Sequence, residues 1–340
     1  MKRDRWWVLL ILAALVVHCA GGAVRKEEEA AQAATFDAQK YLTADAVGPS
    51  DGEAKRSALA ALAAVFNARV RAETQSTATS YVGGEAGEQF EKQVAQMVQV
   101  QTDVQLQGAQ IGWVRPEEGG GYRALAVLNR DQAAGRWRNE LARLQAELDA
   151  GQAGLATLKG RLPRLAALNR LAATMAAMAV TETRLSVLGR PAMPVDADYT
   201  AVLAERSQLV NGACFFIEME GESASHFTRR LEALITAQGY RLCNSADQAA
   251  GLIRGEVSIQ PLALDHRNAR FVRALADVTL IDQDSGDRMA AFSENVRKGH
   301  MDENEALRQA IDELAQTTAA RIQEALGGIG AAPAAETDGR

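Results

Sequence analysis

Residues 272–296 read VRALADVTLIDQDSGDRMAAFSENV, and this stretch decides the fold class. Val272, Ala274, Ala276, Val278 and Leu280 recur at every second position, which puts them on one face of an extended strand. A helix would need its apolar residues three and four apart. Asp282-Gln283-Asp284-Ser285-Gly286-Asp287 is a run of turn formers that sends the chain back as a hairpin, with a return strand from Arg288 to Val296. The C-terminal third is therefore built on an antiparallel pair.

The segments around the hairpin extend the same module. Ala213–Met219 is apolar on both faces except at Glu218, as in a central strand. Ser223–Gly239 aligns Phe227, Leu231, Leu234 and Ile235 on one helical face, with Gly239 as the stop. Strands are expected at 240–243 and 253–264, and a last helix over 303–326 turns Leu307, Ile311, Leu314 and Ile322 toward the sheet. Residues 213–327 thus form a C-terminal α/β domain, and 328–340 is a disordered Gly/Ala/Pro tail.

Residues 131–189 are helical throughout. Trp137, Leu141, Leu144, Leu148, Leu155, Leu158 and Leu162 alternate steps of four and three apart from a gap at Gly151. Leu168, Leu171, Met175, Met178 and Leu185 continue in a new register, and the break falls at Gly160–Pro163. Two antiparallel helices that bury their stripes on each other account for this, with self-association through 131–189 as the alternative. Residues 190–212 are a linker (Arg190-Pro191-Ala192-Met193-Pro194) and a short helix near 196–209.

Before them, Ser50-Asp51-Gly52-Glu53 starts a helix carrying Leu59, Leu62 and Phe66. The alternation Val70, Ala72, Thr74, Ser76 then suggests a strand, followed by a short helix at 88–95 and a strand from Val98 to Leu106. The phase changes at Gly108, a bulge signal, with Ile111 and Trp113 continuing together on one face. Arg115–Gly121 turns the chain into a return strand, 122–129, with Tyr122, Ala124, Ala126 and Leu128 on one face. The expected fold class is α+β: two small α/β modules with mainly antiparallel or mixed sheets, 36–130 and 213–327, separated by a long antiparallel helical hairpin.

The run YLTADAVGPSDGEAKRSALAALAAVFNARV (41–70), with GYRALAVLNRDQAAGRWRNEL (121–141) after it, resembles the twenty-kilodalton lipoprotein (Lpp-twenty) family. That family places a Tyr-x-Ala-x-Ala-x-Leu strand directly before Asn/Asp-Arg and a long helix. Its relatives include the N-terminal part of the flagellar H-ring assembly protein FlgT. The resemblance covers roughly 36–145 and implies an envelope protein, often tied to flagella or surface assemblies, in a family not known for enzymes. The element order of 213–327 is similar to a domain shared by the N-terminal part of TolB, the middle domain of FlgT and outer-membrane activators of penicillin-binding proteins. That second likeness transfers no functional residues.

Location is written at the N-terminus. Met1–Arg5 carries three basic groups against one acidic, and Trp6–Val17 is unbroken apolar sequence, the layout of a secretory signal. Twelve apolar residues are too few to cross a bilayer, which needs roughly 20. Leu15-Val16-Val17-His18-Cys19 resembles a lipobox, with His18 where a small residue is usual; 1–18 would be the signal, Cys19 the acylated N-terminus and 19–35 a tether. Cleavage after Gly22 or Ala23 would instead give a soluble periplasmic chain. Because no Asp directly follows Cys19, the resemblance to a lipobox implies, for a lipidated chain, the periplasmic face of the outer membrane rather than the inner.

Across the 340 residues the net charge is −6, which gives no reason to expect nucleic acid, a ligand that calls for a basic face, and weighs against wide contact with anionic lipid heads. Cys214 and Cys243 would meet an oxidising compartment, as a disulfide or as a buried thiol in an apolar run. The histidines His226, His266 and His300 lack metal or triad spacing, and Gly83-Gly84 and Gly119–Gly121 read as turns. Asp282, Asp284 and Asp287 lack the spacing of a calcium loop. No catalytic, cofactor or metal site is expected. A non-enzymatic lipoprotein that binds envelope proteins in flagellar or surface assembly is the leading expectation. An activator of peptidoglycan synthesis and a periplasmic hydrolase are the rivals.

Overall fold

The computed structural model describes residues 36–77, 90, 92, 94–95, 97, 106–192, 199–262 and 269–328. It has the α+β class, with two sheets. The chain divides into two compact units, the first from 1–76, 98–141 and 180–193, the second from 77–97, 142–179 and 194–340.

The first unit contains β1 (Tyr41–Gly48), α1 (Asp51–Thr77), β2 (Ala109–Pro116) and β3 (Tyr122–Asn129). The strands pair antiparallel in the order β1-β3-β2. Ala124, Ala126 and Leu128 are buried on one face of β3, as their alternation predicts, while Tyr122 at the start of the strand is exposed. Ser50 caps α1: Glu53 N–H donates to Ser50 Oγ (3.3 Å), while the Ser50 hydroxyl donates to Glu53 Oε2 (3.0 Å).

Three details differ from the sequence reading. The expected strand at 70–76 is a continuation of α1 to Thr77, because Ala54, Ala58, Leu62, Phe66, Val70 and Thr74 form one buried row at intervals of four. The bulge lies at Gly112, between Ile111 and Trp113, and not at Gly108, which has φ +91° in the turn before β2. Ile111 and Trp113 are consequently on opposite faces, opposite Ala126 and Leu125 respectively. A Cβ at Gly112 would lie 2.9 Å from Phe36 Cζ and 3.0 Å from Val127 Cγ1, so the bulge needs glycine for space. The strand β1 had no reading of its own, and most of the expected strand 98–106 lies outside the described residues.

Helices α2 (Arg130–Leu155) and α3 (Arg161–Val187) form the hairpin and contribute residues to both units. Of the stripe residues, Leu141, Leu144, Leu148, Leu162, Leu168, Leu171, Met175, Met178 and Leu185 are buried, while Trp137, Leu155 and Leu158 are half-buried. Trp137 stacks on Phe66 of α1 with ring centroids 5.2 Å apart. Glu182 of α3 has its carboxyl pushed above the usual range by burial. A raised native value means the folded state holds that proton where the unfolded chain has lost it, so stability falls as pH rises through the window. Glu182→Gln is therefore expected to raise the denaturation midpoint at neutral pH. The gain should vanish at a pH below the ordinary glutamate value, as a urea titration at two pH values would show.

The second unit contains α4 (Tyr199–Gly212), β4 (Cys214–Glu220), α5 (Ala224–Ala237), β5 (Arg241–Leu242), β6 (Gly251–Leu262), β7 (Arg270–Asp282), β8 (Arg288–His300) and α6 (Glu303–Ala325). Its five-stranded sheet has the order β5-β4-β6-β7-β8. β4 runs parallel to β5 and β6, and the β6-β7-β8 meander is antiparallel. The alternation in β7 is realised: Val272, Ala274, Ala276, Val278 and Leu280 are buried in one core with Phe227, Leu231 and Ile235 of α5 and Ile311, Leu314 and Ile322 of α6. Leu162 and Leu165 of α3 join the same core. Arg254, Glu256, Arg273, Asp277, Asn295 and Arg297 face water on the sheet's other side. Gly239 (φ +90°) ends α5 as expected, with Tyr240 N–H returning to Ile235 O at 3.3 Å.

Candidate binding edge

The two edges of the second sheet are built differently. β5 has two residues and is tied down by a disulfide between Cys214, at the start of β4, and Cys243, with Cα atoms 5.5 Å apart. Cys243 N–H also donates to Phe215 O at 2.9 Å. At the opposite edge, β8 is 13 residues long and pairs with β7 in one register from Ala290 to His300, with a shift near its start. Among the described residues no strand pairs with its outer side.

Exposed edges are normally blunted by proline, bulges or outward charges. In the first sheet β2 carries both the Gly112 bulge and a terminal Pro116. β8 has a bulge at Met289, next to the turn, but from Ala290 to His300 it keeps one register and has no proline, and two of its charged side chains are drawn onto α6. Glu294 accepts from Arg321 Nε at 2.9 Å, and Lys298 pairs with Glu313. These pairs are partly exposed and contribute little to stability. They turn Glu294 and Lys298 toward α6, a helix held beside β8 by its buried row Ile311, Leu314 and Ile322. Ser293, Asn295 and Arg297 alternate on the wet face. The result is a strand edge bordered by a helix, a shape that accepts an extended peptide through main-chain hydrogen bonds.

The residues singled out in the sequence are not gathered there. Cys19, Gly83, Gly84 and His266 lie outside the described residues. Cys214 and Cys243 are bonded to each other. His226 is half-buried in the first turn of α5, where its N–H donates to Ser223 O at 3.1 Å. His300 is the last residue of β8, and its Nδ1 accepts from Asp302 N–H at 3.1 Å. Gly119, Gly120 and Gly121 form the β2–β3 turn with positive φ. Met175 and Met178 are fully buried core side chains. Among the described residues no group of His, Cys, Asp or Glu is placed to hold a metal ion, and no helix is long and apolar enough to cross a membrane.

The acidic hairpin turns out to be a helix anchor. Asp282 is completely buried; its Oδ1 accepts from Leu162 N–H and its Oδ2 from Ser285 N–H, each at 3.0 Å. Asp284 takes a two-pronged contact from Arg161, both at 2.8 Å, and also accepts from Arg161 N–H at 3.0 Å. The Arg161 hydrogen bond holds the Asp284 carboxyl below the usual range. The β7–β8 turn thereby caps the N-terminus of α3, where unpaired N–H groups and the helix dipole favour an acceptor.

A buried polar cluster also went unread in the sequence. Asn169 of α3 donates to Leu326 O at 2.8 Å and accepts from Arg206 Nε of α4 at 2.7 Å. Burial lowers the Arg206 value and raises that of Tyr240, whose hydroxyl lies 3.5 Å from Asn169 Nδ2. Shifted groups of this kind occur at active sites and in structural networks alike. Here they join α3, α4, the start of β5 and the end of α6. Polar residues scattered over four elements leave no local pattern to read.

No family model matches the chain, and no curated protein matches it either. Among solved structures, the secreted protein HP1454 of Helicobacter pylori is similar over 84% of this chain and 98% of its own, at 13% identity and a TM-score of 0.35. The minor lipoprotein of Acinetobacter baumannii covers 34% of this chain and 94% of its own, at 18% identity and a TM-score of 0.29. Lipoprotein GNA1162 of Neisseria meningitidis covers 33% of this chain and 99% of its own, at 12% identity and a TM-score of 0.24. At such scores these likenesses decide neither fold nor function.

Proposed function

We propose that this chain is a lipid-anchored protein of the cell envelope that works by binding other proteins, as an assembly or scaffolding factor for a flagellar or other surface machine. The observation that carries the binding role is the 13-residue outer edge of β8 beside α6. A partner segment added there would lengthen the sheet, with main-chain hydrogen bonds supplying affinity and alternate side chains supplying choice. The lipobox-like Leu15–Cys19 supports the anchor, and the Cys214–Cys243 disulfide supports an oxidising compartment outside the cytoplasm.

Two measurements test the two halves. The intact mass of the mature protein should carry acyl chains on Cys19, lost in Cys19→Ala; an unacylated mass beginning at Ala23 or Val24 would leave a soluble factor. A photo-crosslinking residue at Asn295, in intact cells, should capture one or a few envelope proteins. The same residue at Glu256, inside the wet face, should not. Equal labelling at both positions, or none at Asn295, would remove the β8 edge as the binding site.

A further inference from the structure

Five cations of the first unit converge where α2 begins. Lys40 precedes β1, Arg69 lies on α1, Arg130 and Arg138 are on α2, and Arg190 follows α3. Asp131 answers them, bound by Arg190 Nε at 2.7 Å and within the field of Arg138 and Lys40. One carboxylate cannot neutralise the group. Among the described residues, neither Arg69 nor Arg130 has a carboxylate ion-pair partner.

Arg130 is the least satisfied member. Its Nη1 donates to Leu188 O at 2.9 Å, which fixes the guanidinium against the loop that ends α3. Its Nε is buried and meets no acceptor. Burial lowers its value first, and the charges of Arg69 and Arg190 lower it further. An unmet buried donor and like charges at close range each cost free energy. An anion at this point would answer the open N–H and the excess charge together.

We propose that Arg69, Arg130 and Arg190 form a binding site for a phosphate anion or phosphate ester, supplied by the headgroup of an anionic phospholipid or by free phosphate. Planar guanidinium forks match the spacing of phosphate oxygens, and three charges suit an anion of one or two. The lipid source has a geometric argument of its own. Residues 19–35, expected as the tether, reach at most roughly 60 Å when extended, so an acylated Cys19 would keep Lys40 and its neighbours near a membrane surface. A basic patch is the usual second signal beside a lipid anchor. This lipid arm rests on the anchored reading; the anion site itself does not.

The test uses the full chain in a neutral detergent, following thermal unfolding at constant ionic strength. Three additives are compared: dihexanoyl phosphatidylglycerol, dihexanoyl phosphatidylcholine and inorganic phosphate. A midpoint raised by phosphatidylglycerol and little by the other two assigns the site to an anionic headgroup. A rise of equal size with inorganic phosphate assigns it to free phosphate, whatever the fate of Cys19. In either case Arg69→Ala should weaken binding at least tenfold and Arg69→Lys less. Arg69 is exposed, so neither substitution should lower the midpoint of the ligand-free chain, and Arg69→Ala should if anything raise it slightly by removing one like charge beside Arg130. No shift with any additive, or an undiminished shift in Arg69→Ala, overturns the proposal.

Discussion

Asp282→Ala is expected to lower the unfolding free energy of the second unit by about 4 kcal/mol, the sum of two buried or part-buried N–H groups losing their acceptor at roughly 1–3 kcal/mol each. The groups are Leu162 N–H, in the first turn of α3, and Ser285 N–H, inside the turn that Asp282 itself begins. Water has poor access to replace the carboxylate, because the side chain is completely buried. Gly160 seals the same point: its φ is +87°, and a Cβ there would sit 2.2 Å from Asp282 Oδ2. Asp282→Asn keeps one acceptor oxygen and should recover about half of the loss. The neighbouring Arg161–Asp284 pair is a control. It is roughly a third exposed on both sides, so Asp284→Asn should cost only about 1 kcal/mol or less. That cost should be present at neutral pH and disappear as pH falls through the depressed Asp284 value, because only the ionised carboxylate gains from Arg161. Urea denaturation of the three variants decides the matter; equal losses for Asp282→Ala and Asp284→Asn would refute the capping role.

The double substitution Cys214→Ser/Cys243→Ser should cost about 3.5 kcal/mol, the chain-entropy value for a loop closed by a sequence separation of 29. The loop contains α5, so opening it loosens the helix that supplies Phe227, Leu231 and Ile235 to the core. β5 should suffer first, since a two-residue edge strand has too few hydrogen bonds to hold itself. Hydrogen exchange at Cys243 N–H, which pairs with Phe215 O, would report that fraying directly. The parent protein in strong reductant should converge on the variant's midpoint. If reductant leaves the parent unchanged while the variant is weakened, the loss comes from the serines and not from the cross-link. A double variant is preferable to either single one, which would leave a free thiol able to join two chains.

Legibility followed range. The β6-β7-β8 meander, the Ser50–Glu53 start of α1 and the Gly239 stop of α5 were readable because each rests on residues a few positions apart, repeating with the period of its own element. The misreadings had local causes too. Val70, Ala72, Thr74 and Ser76 alternate like a strand, yet Val70 and Thr74 also continue the four-residue row from Ala54, and burial on the helical side prevailed. A one-residue bulge reverses the inward direction of everything after it, so placing it at Gly108 instead of Gly112 put Trp113 on the wrong face.

By itself, the sequence determined the fold class and the two sheets with helices between them in the chain, because periodicity and short motifs are properties of neighbouring residues. Tertiary structure alone decided what the special residues do. Asp282 looks like a turn aspartate until it meets Leu162, 120 positions upstream. Arg130 looks like a surface charge until Leu188, 58 positions away, turns it inward beside Arg69 and Arg190. Which edge of the sheet stays open follows from strand order, and strand order is set by packing between segments that share no local pattern.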